Sequence, residues 1–159
     1  MLSVDAESWR LVVEPYFRFL NELGFRLTDL NGDSPWETWA QYTSAESAFR
    51  VSRSVEFQRV EVVLLRLVNG QAPLYSTGTV DGVGYWTLFD NVMEARGQTV
   101  VEPGGLDPQA VDRQLTFWAA SVRRVAPDFL AGDLSAIDEA AAIVDERMRR
   151  NPWPPRPSS

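Results

Sequence analysis

Cysteine, histidine and lysine are all missing from this chain of 159 residues. The absence of cysteine excludes disulfides, thiol nucleophiles and thiolate metal sites. The absence of histidine removes the commonest general base and the commonest metal ligand, and the absence of lysine removes Schiff-base chemistry. The serine–histidine–aspartate, cysteine–histidine and serine–lysine combinations that activate a nucleophile are therefore impossible in this protein.

Long apolar runs and nucleotide-binding glycine motifs are missing as well. No stretch approaches the ~18 apolar residues that a membrane-spanning helix requires, and the N-terminus has no basic segment followed by an apolar one. The short glycine pairs at 82–84 and 104–105 are isolated and typical of turns. We therefore predict a cytoplasmic protein that binds neither a membrane nor a cofactor.

Positive charge is scarce. Fifteen basic residues, all of them arginine, stand against 22 acidic residues, which gives a formal net charge of −7. This balance opposes binding to nucleic-acid phosphates and anionic membrane surfaces, because both require clustered cations. It favours long-range attraction to a basic protein, so we predict a protein partner, for example a basic toxin, and no nucleic acid.

The residues that are present indicate one globular domain. Apolar residues make up 45% of the chain and charged residues 23%, both ordinary values for a folded protein. A chain of this length most simply forms a single domain, which we place at residues 1–151. The tail at 152–159 is rich in proline, so it cannot be helical and is expected to be flexible.

The first half of the chain predicts one helix and four strands. Apolar residues recur at helical spacing over 6–23, with Pro15 as a kink or as the start of a second helix and Gly24 as the end. Four alternating or apolar stretches then follow with short turns between them, which is typical of an antiparallel meander. These predicted strands are 25–30, 36–43, 48–53 and 55–68.

The second half predicts helices. A short apolar stripe begins at Tyr85 and ends at Gly97, and Asp107 with Pro108 has the form of a helix start. Two longer stripes with apolar spacings of three and four follow, so we predict two C-terminal helices packed as an antiparallel pair. The fold class is therefore α+β.

The fourth predicted strand is apolar on both faces at one end. Val60, Val62 and Leu64 lie on one face, and Val63, Leu65 and Leu67 lie on the other. One face is covered by a helix, and the second is either covered by another part of the chain or left open for docking. We expect the two C-terminal helices to cover it. Its exposed remainder would comprise Trp39, Arg50, Arg59 and Glu61.

No constellation in the sequence indicates a catalytic or metal site. Asp29, Asn31 and Asp33 match the start of a calcium-binding loop, but the glycine and the final glutamate that such a loop requires are absent, so we interpret them as a turn. Glu56 and Glu61 lie on opposite faces of a strand and cannot work as a carboxylate pair. We therefore predict no catalytic residue and no metal ligand.

Six residues are candidates for binding a partner. Four of them form an aromatic and charged layer on the sheet, and tryptophan and arginine are the residues enriched where binding energy concentrates. The other two belong to the acidic side of the last helix, which is otherwise interpreted as a solvated face. The candidates are Trp39, Arg50, Arg59, Glu61, Asp138 and Glu139.

The layout of "YFRFLNELGF" (16–25), "WAQY" (39–42) and a strand carrying arginine and glutamate resembles small bacterial α+β proteins of the toxin-immunity kind. The resemblance covers residues 9–97 and transfers no functional residue. It implies a small acidic protein that occupies the active site of a toxin or blocks its binding.

The leading hypothesis is therefore a non-enzymatic protein-binding domain with an immunity or antitoxin-like role, as a monomer or small homo-oligomer. One alternative is a structural or adaptor subunit of a larger bacterial or phage assembly. Another is a carboxylate-dependent enzyme or a small-ligand-binding protein.

Overall fold

The computed structural model describes residues 5–72, 79–80 and 83–151, and the predicted proline-rich tail lies outside these residues. The helices are α1 Ala6–Phe17, α2 Phe19–Glu22, α3 Phe89–Ala95, α4 Pro108–Val125, α5 Pro127–Leu130 and α6 Ser135–Arg150. The strands are β1 Arg26–Asn31, β2 Glu37–Thr43, β3 Ser47–Ser54, β4 Arg59–Arg66, β5 Thr79–Val80, β6 Val83–Gly84 and β7 Trp86–Leu88. The predicted α+β class is confirmed.

Helix α1 begins at Ala6 as predicted, but it is interrupted at a different residue. Asp5 caps its start by accepting a hydrogen bond from the backbone N–H of Ser8 at 2.8 Å. The helix continues through Pro15 and is interrupted at Arg18, so the break predicted at the proline is wrong. Proline lacks the N–H that would bond the carbonyl of Leu11, and this side of the helix faces solvent, which satisfies that carbonyl instead.

Five antiparallel strands form the main sheet in the order β1-β2-β3-β4-β7. The sequence predicted the first four in this order, and β7 is the addition. It consists of three residues, too few to show alternation, and it lies in the stretch that was predicted as the start of a helix. Strand β1, at the edge, carries a bulge between Leu27 and Asp29.

One face of this sheet carries the main core. Side chains from α1, α3, α4, α5 and α6 pack there against alternate residues of β2, β3 and β4, including Ala40, Phe49, Val51, Val62 and Leu64. The two long C-terminal helices are present as predicted, and both contribute to this core. Helix α6 packs most extensively against α3. Within the described residues, no helix is both long and apolar enough to span a bilayer.

The apolar end of the second face is closed by the chain, although not by helices. Val63 and Leu65 are buried there together with Ala48. The described residues that pack on them are Leu67 and Ala72, which follow β4, and Trp86 and Leu88 of β7. The expectation that the chain covers this end is confirmed. The prediction that the C-terminal helices provide the cover is wrong, because the residues that follow β4 turn back and pack on this face.

Helix α4 completes the edge of β4 beyond the end of β7. Strand β7 pairs only with residues 63–65, so the outward backbone groups of Val60 have no strand partner. Gln114 accepts a hydrogen bond from the N–H of Val60 at 2.8 Å, and the indole of Trp118 donates to its carbonyl at 3.1 Å. Two side chains of a helix therefore satisfy a sheet edge that a longer strand would have covered.

Candidate functional site

The other half of the second sheet face is polar, and we call it the polar half-face. Register places three rows of side chains across β2, β3 and β4, because alternate residues of a strand point to the same side. The buried apolar residues form one cluster on each face of the sheet. Among the described residues, every helical member belongs to the cluster on the opposite face. The polar half-face comprises Glu37, Trp39, Gln41, Arg50, Ser52, Arg59 and Glu61.

Trp39 and Arg50 form a stacked pair at the centre of this surface. The guanidinium carbon of Arg50 lies 4.3 Å from the ring centroid of Trp39. Arg50 also donates to the amide oxygen of Gln41 at 2.7 Å, and the indole of Trp39 donates to Asp29 at 3.1 Å. Burial lowers the pKa of Arg50, while the nearby carboxylates of Glu37 and Asp29 oppose that shift. Both side chains are therefore held in place before any partner arrives.

Ser52 and Glu61 lie side by side in the neighbouring row. Ser52 is completely buried, and its hydroxyl is the one buried side-chain polar atom without a hydrogen-bond partner in the described part of the chain. Only 12% of the Glu61 side chain is exposed, and burial raises the pKa of its carboxyl. Its closest cation is Arg59, at 3.7 Å. This corner of the surface holds polar groups that the domain itself satisfies poorly.

Arg59 belongs to the polar half-face only in part. Its guanidinium donates to Asp90 at the start of α3 at 2.6 Å, which is much closer than its distance to Glu61. The same group lies 5.9 Å from the ring centroid of Trp118 on α4. Arg59 therefore joins β4 to the helices and is less accessible to a partner than the sequence predicted.

Asp138 and Glu139 lie apart from the other four predicted residues. Both are on α6, where Asp138 pairs with Arg66 at 3.0 Å and Glu139 pairs with Arg96 at 2.7 Å. These ion pairs attach α6 to the sheet and to α3. The structure thus brings together Trp39, Arg50, Arg59 and Glu61, and it places the two acids of α6 in a different role.

Two exposed aromatic side chains at the end of the polar half-face were missed by the sequence reasoning. Trp36 was predicted as the first residue of the strand 36–43, but β2 begins one residue later, and 60% of Trp36 is exposed. Phe57 lies in the turn between β3 and β4 and is 63% exposed. For Trp36 the available signal was its position directly after the turn-forming residues 31–35, whereas Phe57 lies in a stretch that was predicted as a strand.

The loop that resembles a calcium site is a turn, as predicted. The side-chain oxygen of Asn31 accepts a hydrogen bond from the backbone N–H of Asp33 at 2.9 Å. Asp29 is engaged with the indole of Trp39. Across the described ranges, no three carboxylates lie close enough together to hold a metal ion.

A separate cavity of about 440 Å³ lies at the opposite end of the sheet. Its walls are mostly apolar, with Leu23, Phe25 and Leu130 among the lining residues, and Glu46 is the one carboxylate in its lining. A single carboxylate on an open apolar wall does not provide the acid and base of a hydrolase. The cavity therefore adds no catalytic constellation to the polar half-face.

The arrangement on the polar half-face is suited to recognition. It carries a rigid stack of two partly exposed side chains, Trp39 and Arg50, beside the largely buried carboxylate of Glu61. Comparisons with protein-family models, curated protein sequences and solved structures found no match to this chain. The geometry of the chain is therefore the basis for assigning it a function.

Proposed function

We propose that the protein is a non-enzymatic, acidic protein-binding domain that docks a basic partner protein on the polar half-face. The observation that carries this proposal is the stack of Trp39 and Arg50, which is held by Gln41 and Asp29 on a sheet face away from the helical core. An immunity or antitoxin-like role, acting in the cytoplasm, is the concrete form of this function. Its partner would be a toxin with a basic surface.

Preorganisation supports binding through these residues. A partner that contacts the Trp39–Arg50 stack does not have to immobilise either side chain, so the entropic cost of association is reduced. Tryptophan and arginine dominate the binding energy of protein interfaces more than other residues do. The net charge of −7 adds long-range attraction toward a basic partner.

The charge pattern around Glu61 favours binding over catalysis. A carboxylate-dependent hydrolase needs two carboxyl groups that face each other, with the pKa of one of them raised. Glu61 is the one carboxyl with a raised pKa in the described part of the chain, and the nearby Asp90 is paired with Arg59. The charges of Glu37 and Glu56 also act on Glu61, so this carboxyl lies among like charges with Arg59 as its nearby cation, an arrangement that favours attraction of a basic partner.

The proposal is tested by capturing the partner and then measuring its affinity. Tagged protein is used to isolate binding proteins from the native host, and the identified partner is purified and titrated by calorimetry. We expect the Arg50→Ala and Trp39→Ala variants to weaken binding by at least about tenfold. The Arg149→Ala variant is the matched control for Arg50, because it removes the same charge from an exposed position on α6.

Two outcomes would count against the proposal. One is that no stable protein partner is recovered, and the other is that the Arg50 and Trp39 variants bind the partner as well as the unchanged protein does. Raising the ionic strength should slow association, because attraction between the two opposite net charges is screened by salt.

A structural or adaptor subunit is the second candidate function. The apolar half of β4 is buried within the domain, so it does not supply a surface for assembly. Leu11 and Val12 on the outer side of α1 remain exposed, at 58% and 42%, and favour contact with another subunit. Light scattering separates the two functions, because a subunit of an assembly associates in solution and an immunity-like domain stays monomeric.

A further inference from the structure

We propose that Trp36 and Phe57, with the carboxylates of Asp33, Glu37 and Glu56, form a second docking element that receives a segment of alternating cationic and apolar side chains from a partner protein. We call these five residues the sheet-end patch. The inference rests on the proposed function and extends it, because it states where the partner's basic residues lie and what accompanies them.

The two aromatic side chains lie on neighbouring turns at the same end of the sheet. One turn joins β1 to β2 and the other joins β3 to β4. Glu37, the first residue of β2, pairs with Ser54, the last residue of β3, so the two turns are adjacent. The backbone N–H of Val55 donates to the carbonyl of Trp36 at 2.8 Å, which ties the two turns together. Two rings, each more than half exposed, on adjacent turns are unusual on a surface that only faces water.

Both turns are held by their own hydrogen bonds. In the first turn, the backbone N–H of Trp36 donates to the hydroxyl of Ser34 at 3.2 Å. In the second, the backbone N–H of Phe57 donates to Ser54 at 3.1 Å, and the carbonyl of Gln58 accepts from Gly105 at 2.7 Å. Because the backbone beneath the rings is fixed, a partner does not have to order these turns in order to bind.

The carboxylates of the sheet-end patch differ from most of those on the helices. Most other carboxylates on the helices are paired with arginine, as in Glu14 with Arg10 and Asp128 with Arg96. No ion pair joins Asp33, Glu37 or Glu56 to any residue that the structure describes. The three carboxylates of the patch therefore form no ion pair within the described residues, although the charge of Glu37 acts on Arg50.

This combination selects the chemistry of the occupant. A purely apolar segment would cover the rings but would also remove water from three carboxylates without replacing it, which is costly. A purely cationic segment would leave the rings exposed. A segment in which arginine or lysine alternates with aromatic or aliphatic residues satisfies both, because its cations reach the carboxylates while its apolar side chains cover Trp36 and Phe57.

A displayed library of random 12-residue peptides tests the inference directly. The library is selected on the full-length protein, and the enriched peptides are synthesised and titrated by fluorescence. We expect them to carry a positive net charge together with aromatic or aliphatic residues. The Trp36→Ala/Phe57→Ala double variant and the Glu56→Arg variant should each weaken their binding by at least about tenfold.

Matched controls separate local contacts from general effects. Glu22→Arg changes the charge by the same amount as Glu56→Arg but lies on α2, at the opposite end of the sheet. Leu11→Ala removes an exposed apolar side chain from α1. Both controls should bind the peptides as the unchanged protein does. All substituted positions are exposed, and circular dichroism confirms that each variant is folded.

The inference is overturned if the enriched peptides are not basic, if none are enriched, or if they bind the double variant and Glu56→Arg as tightly as the unchanged protein. Its failure is distinguishable from failure of the proposed function. If a natural partner no longer binds the Arg50→Ala variant but still binds the Trp36→Ala/Phe57→Ala variant, the sheet-end patch is not part of the binding surface. The polar half-face would then remain as the binding surface.

Discussion

At the scale of single residues, Glu61 combines a charge with burial. Its carboxyl belongs to a strand whose alternation predicted an exposed side chain, yet only 12% of it is exposed. Because burial disfavours the carboxylate, the folded state raises its pKa above the ordinary 4.5. The folded protein therefore holds a proton on Glu61 more readily than the unfolded chain does, so ionisation of this group at neutral pH lowers stability.

We expect the Glu61→Gln variant to be slightly more stable than the unchanged protein at pH 7, by less than about 1 kcal/mol. The glutamine keeps the shape of the side chain without the cost of a buried charge. The difference in stability between the variant and the unchanged protein should shrink as the pH falls through the raised pKa of Glu61. It should disappear below pH 4.5, where this carboxyl is protonated in the folded and the unfolded state. Thermal unfolding at a series of pH values measures this.

The exposed Glu56 provides the control, because Glu56→Gln should leave stability almost unchanged across the same pH range. A lower stability of Glu61→Gln at pH 7 would show instead that attraction between Glu61 and Arg59 outweighs the cost of burial. The position of Glu61 on the strand was predictable from alternation. Its burial was not, since a single strand carries no information about what lies above it.

At the scale of elements, Gln114 links three parts of the chain. Its amide oxygen accepts from Val60 of β4, and its amide nitrogen donates to the carbonyl of Gly105 at 2.7 Å and to that of Ala110 at 3.1 Å. It is a buried polar residue in the apolar stripe of α4, where a leucine would fit the helical pattern better. Its role becomes visible only once the short β7 leaves Val60 unpaired.

Replacing Gln114 with leucine should destabilise the domain by roughly 2–4 kcal/mol, because the N–H of Val60 and the carbonyl of Gly105 would both be buried without a partner. Urea unfolding monitored by tryptophan fluorescence gives the change in the free energy of unfolding. Gln109→Leu is the matched control on the exposed side of the same helix and should change stability by less than about 0.5 kcal/mol. A similarly small effect of Gln114→Leu would mean that water satisfies the freed groups.

Arg96 joins the end of α3 to the helices that follow α4. Its guanidinium donates to both carboxylate oxygens of Asp128, at 2.6 and 2.7 Å, to Glu139 at 2.7 Å and to the carbonyl of Val125 at 2.8 Å. The hydrogen bonds from Arg96 lower the pKa of Asp128. Stability from this contact is therefore present above the ordinary pKa of 3.8 and is lost as the pH falls through the lowered value.

The Arg96→Ala variant should lose about 1–3 kcal/mol of stability at neutral pH, since it removes a two-pronged charged hydrogen bond. Arg96→Lys should recover only part of this loss, because an ammonium group cannot bond both oxygens in one plane. The difference in the free energy of unfolding between the alanine variant and the unchanged protein should become smaller below pH 3.8, and chemical unfolding measures it. An equal effect at all pH values would assign the loss to packing of the arginine stem.

The elements that the sequence predicted best are those with local signals. Asp107 and Pro108 form the start of α4 as expected, with the Asp107 side chain accepting from Ala110 at 3.0 Å, and Gly24 takes the positive φ of 90° that ends the N-terminal helices. Strand β7 was missed because three residues carry no periodicity. The cover of the second face was misassigned because it depends on the direction of the chain after β4.

At the scale of the whole molecule, the helices build their core on one side of the sheet and the candidate binding residues lie on the other. This division was predictable in outline, since four of the six candidates come together on the polar half-face. The sheet-end patch was not, because Trp36 and Phe57 are far apart in the sequence, and their two turns meet only when the strands pair.

The irregular edges of the sheet have a consequence for the behaviour of the protein at high concentration. A long, flat outer strand invites a second molecule to add its own, which is how fibrils begin. Here one outer strand is only three residues long and the other is bent by its bulge and carries Arg26 and Asp29. Both edges therefore disfavour the addition of a strand from a second molecule, even though Trp36 and Phe57 are exposed at one end of the same sheet.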